Sequence, residues 1–160
     1  MHKTILIPTD FSVESLSLLK AAVLEHQESK INILLVYGYN TPGSITELLF
    51  YSPSKIISKL STPDFREAVA VLQNRLSSRI VSLKVLIFTG KTNESFRSFL
   101  KQNSIDEVVV PAKNMLDLSS SSAMDMIPFL ERSNQEKIYV EWEAKVVHPE
   151  DDKLAALFAL

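Results

Sequence analysis

Four short apolar runs, each stopped by a proline or followed closely by a glycine, constrain this chain more than any other feature. They are Thr4-Ile5-Leu6-Ile7 before Pro8, Ile31 to Tyr37 before Gly38, Val85-Leu86-Ile87-Phe88 near Gly90, and Val108-Val109-Val110 before Pro111. Each is strand-sized and, apart from Thr4 and Asn32, apolar, as in strands buried on both faces, and Gly38 is expected to free the backbone for a turn. Between them lie stretches with helical spacing. Ser12 is placed to cap a first helix carrying Leu16, Leu19 and Val23, which runs to about His26. Asp64 is placed to cap a second, with Ala68, Val71, Leu72 and Leu76 as its stripe, and Asn93 a third, with Phe96, Phe99 and Leu100.

The remaining segments fit the same alternation. Pro42, Pro53 and Pro63 break residues 40–63 into an irregular excursion, with helix-like pieces around Leu48-Leu49-Phe50 and Ile56-Ile57. Asn114 to Ser122 reads as a loop ending in four serines, followed by a helix from about Asp125 to Ser133. Ile138 to Trp142 reads as an edge or interface strand. The order predicts an α/β fold: a single doubly wound, mostly parallel five-stranded sheet with helices on both faces. At 160 residues, 46% of them apolar, the chain suffices for one such core. That assigns residues 1–142 to the domain and 143–160 to a tail, where Leu154 to Leu160 has the composition of a short helix.

Composition narrows the function classes. A net charge of −2 with interspersed signs offers no basic stripe for nucleic acid. Absence of cysteine excludes thiolate metal sites and thiol catalysis. No stretch has the length of a signal peptide or membrane span, so a soluble, cytoplasmic protein is expected. His2, His26 and His148 stand apart from any metal-binding spacing and read as exposed or incidental; no metal or other cofactor is expected. No nucleophile elbow or Gly-x-x-x-x-Gly-Lys loop occurs, so the chain is not expected to be an enzyme. Glu150-Asp151-Asp152 reads as a solvated turn.

The segment Lys3-Thr4-Ile5-Leu6-Ile7-Pro8-Thr9-Asp10-Phe11-Ser12 resembles the opening of the universal stress protein family, whose first strand typically ends in Pro-Thr-Asp-Phe-Ser. The resemblance extends through Ile33 to Tyr37, Gly90, and Ile105 to Val110. It implies that Thr9, Asp10, the backbone near Val36, and Tyr37 flank adenine or ribose in a binding member, while a plain turn-capping role for Asp10 fits the residues equally. In ATP-binding members, Gly-x-x-Gly, nine residues and Gly-Ser/Thr follow the fourth strand and hold phosphate on backbone amides. At that spacing this chain has Pro111, Asn114 and Met124 for the glycines and Asp125 for the hydroxyl residue. Its three glycines, Gly38, Gly43 and Gly90, all precede that region. The resemblance therefore implies a variant that does not bind ATP, with a degenerate small-molecule or nucleotide site as the alternative. Ser119 to Ser122 could offer hydroxyls to an anion or form a flexible surface loop. Members of the family often pair through the last strand, which implies a homodimer at Tyr139, Val140 and Trp142, with protein contacts as the mode of action.

Overall fold

The structure is a computed structural model that describes residues 2–41, 49, 52–113 and 115–141. Five strands form one sheet: β1 (Lys3–Pro8), β2 (Ile31–Gly38), β3 (Ile80–Phe88), β4 (Glu107–Pro111) and β5 (Glu136–Val140). All pairings are parallel, in the order β3-β2-β1-β4-β5. The helices are α1 (Ser17–Glu25), α2 (Pro53–Leu60), α3 (Pro63–Arg75), α4 (Asn93–Gln102) and α5 (Ile127–Arg132), and a 3-10 turn, Glu14–Leu16, leads into α1. The expected doubly wound α/β architecture is the one observed.

The apolar runs divide their side chains between two cores, which is why they do not alternate with polar residues. Ile5 and Ile7 of β1, with Ile33, Leu35 and Tyr37 of β2 and Val109 of β4, meet Leu16, Leu19 and Val23 and, from α3, Phe65, Ala68 and Leu72. Leu6, Leu34, Val36, Val108 and Val110 point the other way, onto Phe96 and Leu100 of α4 and Leu130 of α5. Since β1 leads to β2 and β3 on one side and the chain then returns to β4 and β5 on the other, β1 and β4 part at their carboxyl ends. Ligand crevices of open α/β sheets form at such a point.

Several expectations are corrected in detail. Thr62, not Asp64, caps α3: its hydroxyl accepts from Phe65 N–H at 3.1 Å, and Pro63 takes the first helical position, where no N–H is needed. Thr92, not Asn93, caps α4 through a reciprocal capping box with Ser95. Val71 is exposed, and Phe65 supplies the bulk of that stripe. Ser12 does cap its turn, accepting from Ser15 N–H, but α-helix begins only at Ser17. The last helix is confined to Ile127–Arg132, and β5 starts two residues earlier than expected.

Gly38 is an extended strand residue rather than a turn. A Cβ there would stand 2.5 Å from the Met124 carbonyl and 2.8 Å from Met126 Cγ, so glycine is needed for close approach. The expected helical piece around residues 48–50 lies almost wholly outside the described residues, as do Trp142 and the tail.

His26 is neither exposed nor incidental. Its Nε2–H donates to Glu107 at 2.7 Å, and Lys3 Nζ donates to the other oxygen of the same carboxylate at 2.8 Å. This cluster ties α1, β1 and β4 together at the amino end of the sheet. Burial pushes the Glu107 carboxyl up, but the hydrogen bonds from Lys3 and His26 and the charge of Lys3 outweigh that and hold it below the usual carboxylate value. The same hydrogen bond raises Lys3 above its ordinary value.

Candidate functional site

The carboxyl ends of β1 and β2 open onto a cleft of about 400 Å³. Its walls come from the turn after β1 (Asp10 to Glu14), from Tyr37 of β2, from Thr62 and Asp64 at the start of α3, and from Asp117, Ser119 and Ser120 after β4. Proline ends β1, and the chain must then reverse within a few residues to lay α1 against the sheet. Phe11 makes that reversal with φ +64°, a left-handed conformation costly for a bulky side chain. Its surroundings hold it there. Phe11 N–H donates to Thr9 Oγ1, and its ring packs 4.9 Å from Tyr37 and 5.4 Å, edge-on, from Phe65.

Asp10 is committed within the protein. Its Oδ1 accepts from Ser12 N–H and the Ser12 hydroxyl, and its Oδ2 accepts from Asp117 N–H at 2.8 Å. The turn-capping role is thus present, with an added tie to the far side of the cleft. Thr9 is buried, with its hydroxyl against Ser15 Oγ at 2.9 Å and its N–H donated to the Val36 carbonyl at 2.9 Å. Tyr37 is buried with its hydroxyl against Ser122 Oγ at 2.9 Å; burial, with some help from Tyr39 and Asp10, pushes its phenol up. Asp117 is held below its ordinary value by the Ser119 hydroxyl and N–H.

Of the residues expected at a ligand site, the structure brings only Asp10 and Tyr37 to the cleft wall. Thr9 and Val36 are buried and do not line it, and the Thr9 N–H is donated to the Val36 carbonyl. Pro111 is the buried last residue of β4, opposite Val140, and does not line the cleft. Asn114 falls outside the described residues. Asp125 is exposed, and its Oδ1 accepts from Ile127 N–H at 2.9 Å, so a carboxylate takes the first backbone donor of α5. Pro128, next in the helix, has no N–H.

The serine run is also tied down. Ser122 O accepts from Asn40 N–H at 2.8 Å, Ala123 bridges Tyr39 in antiparallel sense, and Met124 N–H donates to Gly38 O at 2.9 Å. Asp117 and Glu14, which composition did not single out, join Asp10 and Asp64 to give the cleft four carboxylates, and its described lining includes no lysine or arginine. Only the tertiary fold assembles them. Among the described residues, no three histidine, aspartate or glutamate side chains gather as a metal site would require, and no helix is long and apolar enough to cross a membrane.

No protein-family model and no curated protein matches the chain in sequence. Solved structures do match in fold. A universal stress protein from Lactobacillus plantarum superposes with a TM-score of 0.51 at 15% identity, covering 87% of this chain and 97% of that one. A universal stress protein family member from Arabidopsis thaliana, solved with AMP bound, gives 0.52 at 13% identity, covering 89% and 93%. A universal stress protein in complex with cAMP gives 0.50 at 14% identity, covering 87% and 97%. At these identities the likeness establishes a shared fold: this chain has the Rossmann-like α/β fold of universal stress proteins.

Proposed function

We propose that this chain is a universal stress protein whose nucleotide site no longer accepts ATP, and that it acts as a homodimeric, non-enzymatic interaction module in a stress response. The observation that carries the reading is the state of the phosphate-binding region. There a carboxylate, Asp125, caps Ile127 N–H, and Pro128 removes the next donor. In a binding site those amides and the helix dipole would hold an anion. The described lining of the cleft adds the carboxylates of Asp10, Asp64 and Asp117 and includes no lysine or arginine, which disfavours a triphosphate there. The sequence Pro8-Thr9-Asp10-Phe11-Ser12 and the shared fold support the family assignment. Titration with magnesium–ATP is the test, with no saturable binding expected.

A second reading rests on the cleft itself. Its volume and its position at the strand ends suit a nucleotide or another small molecule at a degenerate site, and solved proteins of this fold hold AMP or cAMP. Such a ligand would lean on Asp10 and the Tyr37 side.

The proposed dimer forms through β5. Tyr139 is 66% exposed on this edge strand, and both its neighbours, Ile138 and Val140, are half-buried. Antiparallel pairing about Tyr139 sets Ile138 of one copy opposite Val140 of the other and Lys137 opposite Glu141, joining apolar to apolar and cation to anion. The other edge, β3, centres on Lys84, and the same operation would oppose two lysines. In sedimentation the wild-type chain is expected to run as a dimer. Tyr139→Glu, which puts two carboxylates face to face on the axis, is expected to run as a monomer at the same concentration. A monomeric wild type, or a dimer indifferent to the substitution, would refute this interface.

A further inference from the structure

After β4 the chain does not lead directly into α5. It passes from Asp117, hydrogen-bonded to Asp10, to Ser122, Ala123 and Met124, hydrogen-bonded or bridged to Tyr37, Gly38, Tyr39 and Asn40. Since β1 lies between β4 and β2 in the sheet, residues 115–124 run across the carboxyl end of β1. We propose that this segment is a strap across the strand ends, latched at one end by the Asp10 carboxylate and at the other by the Tyr37 hydroxyl, which opens as one unit. The structure holds it closed.

The two ends of the strap differ from its middle. Met115, Leu116 and Ala123 rest against one core and Met124 against the other, all partly buried, while Asp117 and Ser119 to Ser121 are exposed and bonded mainly to one another and to Asp10 and Asn40. A segment with less apolar burial than the core strands opens at a fraction of the global unfolding free energy. What closes it is a short set of hydrogen bonds, of which Asp117 N–H to the Asp10 carboxylate is charge-assisted and so the strongest class. The Asp117 and Ser119 turn preshapes the loop to present that N–H. At the far end, Ser122 is shared by Ser120, Tyr37 and the Asn40 amide, so the Tyr37 hydroxyl is connected through the serines to the strap's exposed middle. Both latches are contributed by residues whose strands are fixed in the core. The strap is the only moving part the arrangement requires.

The consequence is coupling between ends that lie on different strands. If the segment opens as a unit, cutting either latch raises the opening rate of the whole strap, including amides at the uncut end. The inference needs no ligand, so it stands or falls separately from the nucleotide reading. Amide hydrogen exchange by NMR on the full-length chain tests it, comparing wild type, Asp10→Ala and Tyr37→Phe. Asp10→Ala removes the charge-assisted bond from Asp117 together with the two from Ser12, and is expected to speed opening by about tenfold or more. In Asp10→Ala, the Met124 and Asn40 amides are expected to accelerate together with Asp117. Tyr37→Phe, which deletes a single oxygen, is expected to accelerate Asp117 as well as Asn40, with β1 and β4 amides at wild-type rates in both variants. Acceleration confined to the substituted end would overturn the proposal, as would unchanged exchange in both variants.

Discussion

Phe65→Ala is expected to destabilise the protein by about 3–5 kcal/mol, the usual cost of truncating a buried phenylalanine that cannot be replaced by collapse of its surroundings. Phe65 is 2% exposed, in the first turn of α3, and its own N–H is held by the Thr62 cap. Its ring stands edge-on to Phe11, whose left-handed backbone costs about 1–2 kcal/mol on its own. The substitution therefore opens a cavity and also removes one wall of the packing that keeps the turn after β1 in its strained form. Urea unfolding is the measurement: the midpoint should fall with the slope unchanged. A loss below about 1 kcal/mol would mean that α3 does not pack on the turn as described.

Glu107→Ala should cost about 2–3 kcal/mol at neutral pH, because two hydrogen bonds to a charged group are lost together and Lys3, being half-exposed, recovers part of its share from water. The pH dependence is more diagnostic than the magnitude. The folded-state value of Glu107 is depressed, so its contribution is fully present above the unfolded value, about 4.3, and is lost as pH falls through the folded value. Wild type should therefore shed stability in acid below about pH 4 over a window that the variant lacks. Parallel acid limbs in the two proteins would show that the carboxylate is not paired in the folded state.

The strands were legible because burial on both faces removes the need for polar alternation, leaving apolar runs that proline and glycine punctuate. Helix caps were missed by one or two residues for a readable reason. Thr62-Pro63 carries the cap-then-proline order, and Thr92 stands three residues before Ser95, but Asp64 and Asn93 offered equally good capping side chains. Gly38 reads in sequence as a turn residue, whereas it is extended and kept to glycine by the close approach of Met124, which is distant in sequence.

The site was legible on its β1 side alone. Asp10 announced itself through its neighbours, whereas its contact with Asp117 N–H joins residues 107 apart and depends on the loop crossing the sheet. The pairing of His26 with Glu107, 81 residues away, is of the same kind: neither residue lies in a local pattern, and the sheet order alone brings them together. Asp125 stood out as a carboxylate where a phosphate-binding hydroxyl was expected. That it satisfies the helix amide itself required the fold.

On the proposed reading, the fold keeps an open crevice at its strand ends while Asp125 and Pro128 leave the start of α5 without free donors for phosphate. Calorimetric titration of the full-length protein with magnesium–ATP tests it most directly. No saturable heat is expected up to millimolar nucleotide. Saturation at micromolar ATP would contradict it, and would mean that a triphosphate finds its donors despite Asp125, Pro128 and the carboxylates of the cleft.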